Sequence, residues 1–227
     1  MMKKQICFTL LIFVFWGPTS AQDFKKAVAE ARAEYEKLDR LHAVVRVQAY
    51  EDESAKTSYY YQEGDIKRDH FNYCYSFGMN DMLMNDNYLI VVDKDAKEIS
   101  LGKVDQTKAN QLMKDPIKSS FDSLSKYYEK PVYKGRIQNT DQYSIAPKKG
   151  YLTKLDISFN VETKLIQKIL YHYQEGQLVA VEFLKMDTQP VFDQTIFSES
   201  RYIVFGKNGT PQAVGQFKGY HVSRVEN

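Results

Sequence analysis

Short runs of alternating polarity, separated by turn residues, are the feature that most limits the fold of this chain. Residues 43–50 alternate with a period of two, which is typical of a strand with one buried face. Similar runs follow through most of the sequence, and their short connections contain Gly, Asn, Asp or Pro. Strands joined by such short connections pair antiparallel, because a parallel pair needs a long crossover. The pattern therefore predicts an antiparallel meander.

Two segments have a helical pattern instead. The first spans residues 23–41, where Asp23 suits the start of a helix and apolar residues recur every three or four positions. The second spans roughly residues 106–128 and is interrupted near Pro116. We therefore expect an α+β fold: a curved antiparallel sheet, an open half-barrel, with an N-terminal helix and a helical insertion covering its concave face. The alternative is a flat sheet with the same helices and no cavity. The apolar stripe of the first helix consists of Phe24, Val28, Ala31, Tyr35 and Leu38.

The first 21 residues have the order of a secretory signal peptide. Lys3 and Lys4 precede an apolar run over residues 6–16, and small residues end at Ala21. The run is shorter than the roughly 20 residues that a membrane-spanning helix needs. We expect cleavage after Ala21, which leaves residues 22–227 as a single domain without a transmembrane segment. Cys7 lies inside the apolar run, so we expect no lipid attachment.

Charge and cysteine content exclude two classes of protein. The chain has 31 basic and 29 acidic residues, and loss of Lys3 and Lys4 would make the numbers equal. A balanced charge argues against nucleic-acid binding, which needs a basic surface. Removal of Cys7 would leave Cys74 as the only cysteine. The fold would then have no internal disulfide and would depend on its core.

Catalytic and metal-binding patterns are not found in the sequence. His70 and Cys74 are four residues apart on a predicted strand, about 13 Å along its axis, and no further ligands complete a zinc site. No nucleophile elbow, metalloprotease, phosphate-binding or dinucleotide-binding motif occurs. Cys74 is interpreted as a small packed residue; the alternative is a reactive thiol, which is disfavoured because no nearby residue would lower its pKa. We therefore expect no enzyme activity, no metal and no cofactor.

Aromatic residues mark the candidate ligand site. Residues 59–77 form a predicted hairpin with Gly64 in its turn, and the second strand is aromatic at every other position. This face is either core beneath a helix or the wall of an apolar cavity, and tyrosine suits a surface that tolerates water. We expect it to face the concave side, since exposed aromatics in a row favour aggregation. The candidate ligand-binding residues are Phe71, Tyr73, Tyr75 and Phe77, with Leu83 and Met84 as nearby contributors.

Several segments resemble the outer-membrane lipoprotein carrier family, the LolA-like proteins. The predicted first helix runs directly into the strand at residues 41–47, as in that family. The C-terminal part, residues 202–227, resembles an additional hairpin that the family lacks. The other segments that carry the resemblance are 82–93, 95–101, 143–148, 155–160, 165–169, 175–183 and 190–197.

The resemblance implies a function as well as a fold. It implies a periplasmic binding or carrier protein, exported into a Gram-negative type envelope. The acyl chains of a lipid or lipoprotein would lie between the curved sheet and a helical lid. The alternative is a non-catalytic interaction or structural module of the cell envelope, which would use the same fold to bind an envelope protein.

Overall fold

The computed structural model describes residues 20–105 and 127–225. Helix α1 (Ser20–Lys37) ends where the polarity pattern changes, and strand β1 begins at Arg40. The predicted helix continued to Leu41, but Leu41 already pairs with Arg68 of the next strand. Most of the predicted signal peptide lies outside the described residues, since Ser20 and Ala21 already belong to α1, and so does most of the predicted helical insertion. No helix within the described ranges is long and apolar enough to cross a membrane.

Fourteen strands occur in the described residues, and most are joined by short turns. They are β1 (Arg40–Tyr50), β2 (Tyr60–Asp69), β3 (Asn72–Phe77), β4 (Asn80–Met84), β5 (Tyr88–Asp93), β6 (Glu98–Lys103), β7 (Val132–Ile137), β8 (Thr140–Ile145), β9 (Leu152–Asn160), β10 (Ile166–Tyr173), β11 (Leu178–Asp187), β12 (Ile203–Phe205), β13 (Pro211–Ala213) and β14 (His221–Val225). Short 3-10 turns lie at Gln194–Phe197, Glu199–Arg201 and Gly215–Phe217.

Twelve of these strands form one curved sheet, in the order β14-β6-β5-β4-β3-β2-β1-β11-β10-β9-β8-β7. The sheet does not close, and β14 and β7 are its edge strands. The expected curved antiparallel sheet is thus confirmed, with one exception: β14 pairs parallel to β6, from His221 beside Glu98 to Val225 beside Gly102. The hairpin predicted over residues 202–227 is found only in their first half, as β12 and β13, since β14 joins the main sheet.

The two faces of the sheet are packed at different places. On one face, α1 covers β8–β10: the ring of Phe24 lies 5.3 Å from that of Tyr143 and 6.2 Å from that of Phe159, between ring centroids. On the other face, residues 190–220 cover β3–β6, and Phe197 and Tyr202 are buried there against Leu83. In the order of strands, β3–β6 lie near one edge of the sheet and β8–β10 near the other, so the two clusters lie at opposite ends of the sheet.

The predicted turn at Gly64 is wrong. Gly64 lies in the middle of β2, paired with Val45 on one side and Phe77 on the other. The chain turns instead at His70 and Phe71, where His70 adopts a left-handed φ of 55°. A glycine inside a strand has the same sequence signature as a turn glycine, although it marks a close approach by a neighbouring group.

Candidate apolar binding face

We call the side of the sheet on which α1 packs the helix face, and the other side the opposite face. Side chains alternate between the two faces along a strand, and directly paired residues of neighbouring strands share a face. The helix face can therefore be followed across the sheet by its pairing. The paired residues run from Ile157 beneath α1 to Ile169, Val181 and Val47, and then, two residues along β1, to Val45, Gly64 and Phe77.

Strand β3 carries an aromatic row on the helix face. Tyr73, Tyr75 and Phe77 share this face, as the alternation predicts. The rings of Tyr75 and Phe77 are stacked, with centroids 6.1 Å apart and planes inclined by 8°. Phe77 also lies against the backbone of Gly64, where an added Cβ would come within 2.6 Å of the ring. Gly64 therefore lets the aromatic row lie flat against the sheet.

The remaining predicted site residues are divided between three places. Met84 pairs with Tyr73 and lies on the helix face. Leu83 pairs with Cys74 and is fully buried in the core of the opposite face, so its predicted position beside the aromatic row is wrong. Adjacent residues of a strand point to opposite faces, and Leu83 and Met84 could not both join the row. Phe71 lies in the turn before β3 and is 53% exposed. It does not belong to the row either.

Four residues of this surface were missed in the sequence. Tyr75 pairs with Ile66 of β2 and Met82 of β4, and Met82 pairs with Val91 of β5. Leu89 lies beside Met84. The signal that could have found them is the same period of two, continued into β4 and β5. We define the β3–β5 patch as the helix-face residues Ile66, Tyr73, Tyr75, Phe77, Met82, Met84, Leu89 and Val91.

The β3–β5 patch is apolar and uncharged. Burial raises the pKa of the Tyr73 hydroxyl, and Tyr75 adds to the increase. Burial also raises the pKa of Tyr75, with a smaller contribution from Tyr60. Both hydroxyls therefore stay neutral at physiological pH. Leu89 and Val91 are 36% and 39% exposed, and none of the patch residues belongs to either hydrophobic cluster of the described chain.

The opposite face of the neighbouring strands β11, β1 and β2 is charged. Arg46 of β1 lies 3.2 Å from Glu63 of β2 and 3.8 Å from Glu182 of β11, between guanidinium nitrogen and carboxylate oxygen. The Tyr61 hydroxyl donates a hydrogen bond to Glu63 as well. Such mutually paired charges are typical of a face that contacts water. The charged side chains of these three strands thus lie on the side of the sheet opposite to the patch.

The polar side chains elsewhere form structural contacts. In the part of the chain that the structure describes, no three His, Cys, Asp or Glu side chains are placed to hold a metal ion. His172 lies on the opposite face, with Nδ1 2.5 Å from Glu53 and Nε2 2.9 Å from Asp156, and it ties the β1–β2 loop to β9. Cys74 is buried, with its sulfur 3.9 Å from the Tyr202 hydroxyl. Its interpretation as a packed residue is confirmed.

Comparisons with known proteins give distant likenesses. No protein-family model matches the chain, and no curated protein matches it in sequence. Among solved structures, the chain is similar to an uncharacterized conserved protein of Thermus thermophilus, at 7% identity and a TM-score of 0.49, over 90% of this chain and 100% of that one. It is also similar to a LolA superfamily protein of Nitrosomonas europaea, at 11% identity and a TM-score of 0.33, over 80% of this chain and 99% of the other.

A third likeness is to the MucA/MucB complex of Pseudomonas aeruginosa, at 11% identity and a TM-score of 0.48. It covers 85% of this chain but only 63% of the chain in that complex. The distant likeness to a LolA-like fold is thus found in structure as well as in sequence. All three TM-scores are below 0.5, so none of these structures carries the proposals that follow.

Proposed function

We propose that this protein is a non-catalytic carrier that binds the acyl chains of a lipid or lipoprotein on its helix face. The observation that most supports this function is the β3–β5 patch, which, including Ile66 of β2, presents apolar and aromatic side chains over four neighbouring strands. A contiguous apolar surface of this kind on a water-exposed protein marks a binding site. The opposite face of β3–β5 is already core, covered by residues 190–220, so the helix face is the surface of these strands that is left for an apolar ligand in the described residues.

The composition of the patch suits a flexible hydrocarbon chain. Burial of each CH₂ group contributes about 0.8 kcal/mol, so a chain of several methylene groups can supply the binding free energy without polar contacts. Met82 and Met84 have flexible thioether side chains that adapt to irregular ligands. Tyr73 and Tyr75 present apolar rings with a polar hydroxyl that tolerates water. The patch would therefore accept chains of different length and saturation.

The sequence also suggests what covers this ligand. Residues 106–128 carry the second helical pattern, and β6, which precedes them, belongs to the same sheet as the patch. We keep the prediction that this insertion forms a helical cover over the concave side. In this proposal the ligand lies between the cover and the sheet, and opening of the cover would cost part of the binding free energy.

The proposed location is the periplasm of a Gram-negative type envelope. It is supported by the signal-like order of residues 1–21 and by the resemblance to the lipoprotein carriers. We propose a mature chain that begins at Gln22, carries no acyl modification and acts as a soluble protein. An envelope protein partner that delivers or receives the ligand would fit this role, and nucleic acid would not.

A single charge placed on the patch tests the proposal. Val91 is 39% exposed on the helix face, so Val91→Asp should leave the fold intact while placing a carboxylate beneath the ligand. We expect the affinity for a fluorescent long-chain fatty acid to fall at least about tenfold, because the buried charge would need desolvation. The matched control is Val191→Asp, since Val191 is 92% exposed and outside the sheet.

The two outcomes separate the proposed functions. Weaker binding by Val91→Asp alone, together with lipids found by mass spectrometry after gentle purification, supports the carrier. Equal binding by both variants and the unmodified protein would contradict an acyl site on the patch. If no lipid or fatty acid binds at all, the alternative of an envelope interaction module is favoured instead.

A further inference from the structure

Arg68 brings a positive charge to the end of the β3–β5 patch. It lies in β2 on the helix face, paired with Leu41 of β1 and Tyr73 of β3. Its Nε atom donates a hydrogen bond to the backbone oxygen of His70 at 3.2 Å. This bond holds the guanidinium group near the turn, and its two terminal nitrogens donate no side-chain hydrogen bond to any residue in the described ranges. Arg68 is partly buried.

The charge of Arg68 has no carboxylate partner among the described residues. Its neighbours in β2 and β1 differ in this respect: Lys67 pairs with Asp65, and Arg40 with Asp69, both on the opposite face. Paired surface cations are common, whereas a cation beside apolar side chains without a counter-charge is costly unless a ligand supplies one. An anion at Arg68 would therefore complete a contact that the protein itself leaves unmade.

Charge is distributed unequally along the patch. At one end of the patch, the residues paired across the strands are Arg68, Tyr73, Met84 and Leu89, and Arg68 is the only charged member of this set in β1–β5. At the other end, the paired set that contains Phe77 ends at Asp93 and Glu98. The two ends are about 13 Å apart, since Arg68 and Gly64 are four residues apart on a strand. An anionic headgroup is thus attracted to one end of the patch and repelled from the other.

We propose that Arg68 binds the carboxylate of a long-chain fatty acid whose hydrocarbon chain lies on the β3–β5 patch. This inference rests on the proposed function and specifies its ligand class. A planar guanidinium matches the two oxygens of a carboxylate, and charge-assisted hydrogen bonds of this kind are the strong ones. The apolar surroundings strengthen the attraction, because they lower the local dielectric. One guanidinium whose Nε is already bonded to His70 suits a single carboxylate at its other two nitrogens.

The test compares ligands with the same twelve-carbon chain and different headgroups. We expect the unmodified protein to bind dodecanoate about ten- to a hundredfold more tightly than dodecanol. Arg68→Gln should abolish this preference, so that dodecanoate binds no more tightly than dodecanol. Lys67→Gln is the matched control, because it removes a neighbouring charge from the opposite face, and it should keep the preference. Urea unfolding of each variant checks that the fold is intact.

Each outcome bears on a different claim. If dodecanoate and dodecanol bind equally well to the unmodified protein, Arg68 has no headgroup role, although the apolar site remains. A preference that survives Arg68→Gln, or is lost in Lys67→Gln, would place the anion elsewhere and overturn the assignment. Tighter binding of dodecyl phosphate than of dodecanoate would overturn the carboxylate. If none of these ligands binds, the proposed carrier function fails as well.

Discussion

At the scale of single residues, Gly64 determines how closely the aromatic row approaches the sheet. The ring of Phe77 occupies the space that any Cβ at this position would need, and Tyr75 stacks on that ring. A side chain at residue 64 would therefore disturb Phe77 first and the stacked pair with it. The packing of the aromatic row therefore depends on the lack of a side chain at Gly64 as well as on the aromatic rings.

We predict that Gly64→Ala destabilises the protein by about 1–3 kcal/mol, which is typical of overpacking in a well-packed region. Gly102→Ala is the control, because Gly102 is also in a strand but its added Cβ would meet nothing closer than 3.9 Å. Urea unfolding measures both changes. If the two variants lose equal stability, the contact between Phe77 and Gly64 does not have the importance assigned to it.

The residue scale also shows which part of the site could be predicted. The alternation of Tyr73, Tyr75 and Phe77 was enough to place them on one face, because strand periodicity is local. The same rule separates Leu83 from Met84, and its application to β4 would have excluded Leu83 and found Met82. The exposure of Phe71 could not be predicted, since it depends on the turn at His70 and not on the strand pattern.

At the scale of elements, the C-terminal segment is fixed to the sheet by a buried carboxylate. Asp69 at the end of β2 accepts a hydrogen bond from Gln194 Nε2 at 3.1 Å, and it also contacts His70 and Arg40. The bond from Gln194, with those from His70 and Arg40, lowers the pKa of Asp69 from its ordinary value. Asp69 therefore links β2 to residues 190–220, which cover the opposite face.

A lowered pKa gives this link a definite pH dependence. The stabilisation is complete above the ordinary aspartate pKa of about 3.9 and is lost as the pH falls through the lower pKa of the folded state. We predict that Asp69→Asn is about 1–3 kcal/mol less stable than the unmodified protein at pH 7. The difference should shrink as the pH falls below about 4, because asparagine does not titrate.

Urea unfolding at pH 7 and pH 3 measures this difference. Asp95→Asn in the exposed turn after β5 is the control, and its stability should follow that of the unmodified protein at both values. A constant difference between Asp69→Asn and the unmodified protein across this range would show that ionised Asp69 does not hold the C-terminal segment.

The local polarity pattern predicted most of the helices and strands, but not the pairing and packing between segments that are distant in the sequence. The helix and the strands follow from periodicity within short windows of sequence, and β1 and β3–β5 were found in this way. The parallel pairing of β14 with β6 depends on residues more than a hundred positions apart. Similarly, the sequence of β3 alone does not indicate that the face of the strand with Cys74 packs against Phe197 and Tyr202. Contacts between distant segments decide which face becomes core.

At the scale of the whole molecule, the two covers lie on different faces and at different ends of one sheet. Helix α1 occupies the helix face at β8–β10, and residues 190–220 occupy the opposite face at β3–β6. Neither cover reaches the helix face of β3–β5 in the described residues. The aromatic row and the two methionines lie on that surface, and Arg68 lies beside it in β2. The proposed acyl site and its proposed cationic end rest on this arrangement.

Methionine methyl groups allow this central claim to be measured directly. Met82 and Met84 lie within the β3–β5 patch, whereas Met79 lies in the turn between β3 and β4 and is 47% exposed. The experiment records ¹³C-methyl methionine NMR spectra while unlabelled dodecanoate is added. If acyl chains bind on the patch, the signals of Met82 and Met84 shift progressively with ligand concentration and that of Met79 shifts least. If all three signals shift equally, or Met79 alone shifts, the patch is not the ligand site.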